Sequence, residues 1–117
     1  MSNLFDLRFL ALEDGTIQGS IPDNIGDLQN LIVLDLDAQN LNGSLPESVF
    51  GITTLATLDL NENALTGIIS PLIGNLSAIT FLQLDGNNFV GSIPDVFQNM
   101  SALGEMFLTF TCGANSI

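Results

Sequence analysis

Apolar residues recur along this chain at a fixed interval of 24. Leu7, Leu31, Leu55, Ile79 and Leu103 share one column, and Leu10, Leu34, Leu58, Leu82 and Met106 share a second. A third holds Leu12, Leu36, Leu60, Leu84 and Leu108. Four more columns follow: Ile17/Leu41/Leu65/Phe89, Ile21/Leu45/Ile69/Ile93, Ile25/Val49/Ile73/Phe97 and Leu28/Ile52/Leu76/Met100. No insertion breaks the register. Leu34-Asp35-Leu36 and its equivalents alternate apolar and polar, which predicts a short half-buried strand in every unit. The pentapeptide Gly-Ser-Ile-Pro-Asp at 19–23 returns at 91–95, three intervals later.

A single coil of this length cannot bury seven apolar positions by itself. Stacked coils bury them in one continuous column, so the structure is stable only as an array. The interval lies within the range of leucine-rich repeats, whose unit is a strand followed by an irregular return. The ninth place of each unit holds Gly15, Gln39, Asn63, Asn87 and Thr111. Asn at that place is expected to turn inward and satisfy backbone groups where the chain leaves the strand, because buried polar groups need partners. Gln39 is a longer substitute, while Gly15 and Thr111 predict weaker amide ladders at both ends.

These residues closely resemble the plant-specific class of leucine-rich repeat, with the pattern LxxLxLxxNxLxGxIPxxIGxLxx. The stretches "LQNLIVLDLDAQNLNGSLPESVFGI" and "LSAITFLQLDGNNFVGSIPDVFQNM" match it nearly place for place, and the likeness covers residues 4–110. The class includes receptor-kinase ectodomains, polygalacturonase-inhibiting proteins and related algal and diatom proteins. The resemblance implies an α/β leucine-rich-repeat solenoid, a right-handed superhelix of about five units of 24 residues. Parallel strands would line its concave face, Gly-x-Ile-Pro segments would extend along one flank, and 3₁₀ or irregular turns would close the convex side. The expected organisation is a single domain, 1–117, with a partial unit at 1–6, repeats at 7–30, 31–54, 55–78 and 79–102, and a truncated repeat at 103–117. The paired-cysteine caps usual in the class are missing, so a fragment is expected, or ends covered by something else. The lone Cys112 cannot form an internal disulfide.

Charge narrows the partners. The chain has 13 acids against one base, Arg8, and a formal net charge of −12. That excludes the basic footprint needed for nucleic acid and disfavours docking on anionic lipid. No apolar run reaches the roughly 20 residues of a membrane span, and the first residues lack the basic start and long apolar run of a secretory leader. No direct membrane insertion is expected.

The outward strand positions and those just beyond them carry the acids Glu13, Asp14, Asp35, Asp37, Asp59, Glu62, Asp85 and Glu105, with Phe81 and Gln83 among them. Neighbouring strands stack roughly 4.8 Å apart, and like charges at that spacing repel by roughly 0.8 kcal/mol even in water. Three readings of these acids stay open: solubility of an apolar solenoid, a basic protein or peptide ligand, or weak binding of calcium. Carboxylates alone do not exclude a glycosidase. An open ladder, however, offers no enclosed pocket to shift one pKa selectively, and with no His or Lys the chain has no activated nucleophile. No enzyme activity, metal site or cofactor is expected. Phe107 and Phe110 on the last strand mark a docking end. Three Asn-X-Ser sequons, at Asn42, Asn75 and Asn99, are candidate glycosylation sites.

Two functions are consistent with this pattern. One is an extracellular or cell-surface recognition module, part of a larger protein, that binds a protein or peptide through its acidic concave face. The other is an assembly subunit, in an organelle lumen or a complex, that docks through its ends and exposed Phe residues.

Overall fold

The computed structural model describes residues 6–12, 15 and 17–107, excluding the side chains at 99 and 105–107. Among the described residues, eight short strands form two parallel sheets. The first sheet takes one strand from each coil: β1 (Phe9–Ala11), β3 (Val33–Asp35), β5 (Thr57–Asp59), β7 (Phe81–Gln83) and β8 (Glu105–Phe107), in the order β1-β3-β5-β7-β8. Its register runs Leu10 to Leu34 to Leu58 to Leu82 to Met106, steps of 24. The apolar interval of the sequence is thus the strand-to-strand register of the concave sheet.

The second sheet, β2-β4-β6, lies along one flank, from β2 (Gln18–Ser20), β4 (Asn40–Ser44) and β6 (Ala64–Thr66). Here Gln18 pairs with Asn40 and Asn42 with Ala64, steps of 22. The Gly column lies within β2 and β4, follows β6 and recurs in the next coil, with φ of +93, +76, +83 and +84° at Gly19, Gly43, Gly67 and Gly91. Residues with a Cβ rarely adopt that conformation, which explains why this column is glycine throughout.

Each coil returns through a 3₁₀ helix: Asp23–Asp27, Glu47–Gly51, Pro71–Asn75 and Asp95–Asn99. Pro22, Pro46 and Pro94 stand before three of them in extended conformation. The fourth has Ser70 instead, whose hydroxyl accepts the Leu72 N–H at 3.1 Å, and the proline moves to position 71. The substitution in the Pro column is therefore a change of capping device.

The core is the stack of apolar columns. Leu34, Leu58 and Leu82 are fully buried, as are Leu31, Leu55, Ile52 and Leu76. Toward the first and last described coils the same columns open: Leu7, Leu10, Leu12, Met100 and Leu103 are only partly buried. A neighbour on both sides is what completes each coil.

Candidate interaction surface

The amide ladder sets the far edge of the concave sheet. Asn63 Nδ2 donates to Leu36 O in the preceding coil at 2.9 Å and to Leu60 O at 3.1 Å in its own, while its Oδ1 accepts the Leu41 N–H at 3.1 Å. Asn87 repeats this with Leu60 O at 2.9 Å, Leu84 O at 3.1 Å and the Leu65 N–H at 3.0 Å. Gln39 reaches the equivalent groups, Leu12 O at 3.0 Å and the Ile17 N–H at 3.3 Å. The expected inward amides are present.

Between strand and ladder the chain turns sharply. Ala38, Glu62 and Gly86 adopt φ of +52, +55 and +71°, so this column is a left-handed turn. Glu62 accordingly does not stand on a strand, and neither do Asp37 and Asp85, because each strand of the concave sheet is only three residues long. The alternation predicts how residues face, but it extends past the point where the inward amide ends the strand. Glu62 is exposed and its carboxylate lies over Gly86, where a Cβ would meet Oε1 at 2.7 Å.

On the strands themselves Asp35 and Asp59 are register partners, with Gln83 next in line, all half-buried on the outward side. Asp35 Oδ1 accepts the Asp37 N–H at 3.3 Å and Asp59 Oδ1 accepts the Asn61 N–H at 3.2 Å. Burial, and then the charges of Asp35, Asp37 and Asp85, push the Asp59 carboxyl up to about 6, against the pull of the Asn61 N–H. The Asp37 carboxyl is raised as well, first by its hydrogen bond with Asp35, then by burial and the Asp35 charge. Asn61 Oδ1 and Asp85 Oδ1, one column along, are buried and accept no hydrogen bond among the described residues. The charge pattern of the sequence passes over Asn61, because a neutral amide carries no charge signal.

An apolar column borders the acids. Val33, Thr57 and Phe81 are half-buried, and Phe9 on the edge strand is 62% exposed. Glu105 and Phe107 stand on β8, in register with Phe81 and Gln83. Glu13, Asp14 and Phe110 lie outside the described residues, as does the side chain of Asn99. Asn42 and Asn75 are exposed, the first on β4 and the second at the end of a 3₁₀ helix. Among the described residues no group of three or more His, Cys, Asp or Glu is arranged to hold a metal ion. No helix among them is long and apolar enough to cross a membrane.

The fold is shared with solved receptor ectodomains. The ectodomain of the Arabidopsis thaliana receptor kinase GASSHO1/SCHENGEN3, in complex with CASPARIAN STRIP INTEGRITY FACTOR 2, is 37% identical with a TM-score of 0.87 over 91% of this chain and 13% of that one. The Arabidopsis receptor kinase HAESA, in complex with the peptide hormone IDA and the co-receptor SERK1, is 33% identical with a TM-score of 0.83, over 88% of this chain and 18% of HAESA. The BIR2 ectodomain from Arabidopsis thaliana is 34% identical with a TM-score of 0.72, over 75% and 46%. The chain thus spans less than half the length of each of these structures. No curated protein is matched at a significant level. The sequence profile of the leucine-rich repeat region family matches residues 1–115, and the chain belongs to that family.

Proposed function

We propose that the chain is a non-catalytic recognition module that binds a basic, extended segment of a protein or peptide across its concave sheet. The observation that carries this reading is the in-register pair Asp35 and Asp59, where burial first, and then the neighbouring acid charges, lift the proton affinity of Asp59. One base in the whole chain cannot neutralise 13 acids, so the counter-charge has to come from outside. A cationic side chain laid across the strands would relieve the repulsion, and the adjoining column of Val33, Thr57 and Phe81 would take its aliphatic stem. Similar ectodomains hold peptide partners: RGFR1, a plant peptide hormone receptor, is in complex with RGF2, and HAESA is in complex with the peptide hormone IDA. Those likenesses also support an extracellular position as part of a larger membrane receptor. Calcium at millimolar levels would act on the same field as a screening competitor.

The test is fluorescence anisotropy with a labelled peptide of alternating Arg and Leu, beside its Glu-Leu counterpart, over a range of salt. Saturable binding of the basic peptide alone is expected, weakening as salt shortens the screening length. In the Asp35→Asn/Asp59→Asn double variant, whose amide oxygens can still accept the turn N–H groups, affinity should fall at least about tenfold. Equal binding by the variant would end this reading.

An assembly role is favoured by one observation, the 62% exposure of Phe9 on the edge strand β1. Size-exclusion chromatography distinguishes the two. A concentration-dependent oligomer that Phe9→Ser disperses supports assembly, and a monomer at all concentrations removes it.

A further inference from the structure

We propose that Asn75 is an acceptor for an N-linked glycan and that the exposed Leu72 is the platform on which its first sugar rests. The two residues belong to the 3₁₀ helix Pro71–Asn75, where positions three apart eclipse, so they share one face. Leu72 is 43% exposed, whereas the other leucines among the described residues are buried or half-buried. Asn75 and Ser77, the two reacting members of the Asn-Leu-Ser sequon, are exposed, and Leu76 between them is fully buried and anchors the segment. Among the described residues the Asn75 side-chain amide has no hydrogen-bond partner.

The coil-to-coil comparison carries the inference furthest. At the place of Leu72 the four 3₁₀ helices hold Asn24, Ser48, Leu72 and Val96, and at the place of Asn75 they hold Asp27, Gly51, Asn75 and Asn99. An apolar residue occurs at the first place only where a sequon occupies the second. Where no sugar can be attached, the residue beneath is polar. The C–H face of a pyranose would cover the aliphatic side chain. Asn42 has no such support: its register neighbours are Ser20 and Ala64.

The assignment rests on the extracellular reading, since the donor is a lipid-pyrophosphate-linked oligosaccharide of the secretory pathway. The Asn75 Nδ2 loses a proton and forms the bond to sugar C1, while the C1–O bond breaks and the lipid pyrophosphate leaves with the electron pair.

The chain is translated into microsomes behind a cleavable leader, with protease protection reporting translocation and an endoglycosidase-sensitive shift reporting the glycan. Asn75→Gln and Ser77→Ala should each remove the same glycan, and Ser77→Thr should retain it. A protected chain with unmodified Asn75 overturns the assignment, while the extracellular reading stands because the leader supplied the translocation. For the platform, the glycosylated chain should melt several degrees above its enzymatically trimmed form, a difference that Leu72→Ser abolishes. An undiminished difference in Leu72→Ser overturns the role of Leu72.

Discussion

Gln39 occupies space that Gly15, its counterpart one coil earlier, leaves open. A Cβ at Gly15 would fall on the Gln39 side-chain amide and 2.8 Å from the Gln39 Cα. The extra methylene of Gln39 extends the amide toward Leu12 O and the Ile17 N–H, and the missing side chain of Gly15 makes room for it. Gly15→Ala should therefore dislodge this amide and cost about 1–3 kcal/mol, the range for leaving such groups unsatisfied. Denaturant unfolding measures it, and an unchanged midpoint would show that the two residues are independent.

The buried Asn87 offers a larger effect. Its Nδ2 serves Leu60 O, Leu84 O and Asp85 O, and its Oδ1 takes the Leu65 N–H. Asn87→Ala strands these groups in a dry interior and should cost roughly 3 kcal/mol. Asn42→Ala, at an exposed amide, should stay within about 0.5 kcal/mol of the parent protein. Similar losses in both variants would remove the ladder from the account of stability.

Stability should fall as pH rises through the range of Asp59. Its folded carboxyl titrates at about 6, above the ordinary 3.8, so between those values the folded chain binds more protons than the unfolded one. Linkage then makes stability highest below about pH 4 for this group, declining to a plateau above about pH 6. Solvent screening at a half-open surface limits the change to roughly 1 kcal/mol. The raised Asp37 carboxyl acts in the same direction. Thermal melts from pH 4 to 8 should show the trend, and Asp59→Asn should flatten it. A melting temperature that climbs with pH in both proteins would contradict it.

Ala38 holds a left-handed φ of +52° that glycine takes at the equivalent Gly86, with φ of +71°. Ala38→Gly should raise stability by about 0.5–1 kcal/mol, the relief of Cβ strain less the added freedom of the unfolded chain. A loss on calorimetry would mean that the Ala38 methyl makes contacts that outweigh its strain.

The register of the concave sheet was legible in the sequence, because one side chain in two faces the core and the core requires a large apolar residue at each such place. The inward amides were legible for the same reason. The Gly15–Gln39 fit was not: each residue departs from the pattern when taken alone, and only their stacking shows that one fills what the other vacates. The turn at Ala38 and Glu62 also escaped, since neither residue type favours positive φ. The flank sheet pairs with a step of 22, whereas the sequence repeats with 24. Hydrogen bonding there is set by the backbone path out of the turn, which leaves no mark on side-chain periodicity. The acids of the candidate face were visible as charges, but their division between strand and turn was not.

Every ladder amide points backward along the chain: Asn63 to Leu36 and Leu41, Asn87 to Leu60 and Leu65. A turn is therefore fastened by the one synthesised after it. On the ribosome, order can spread in the direction of translation with a lag of one turn, and the newest turn always waits for its successor.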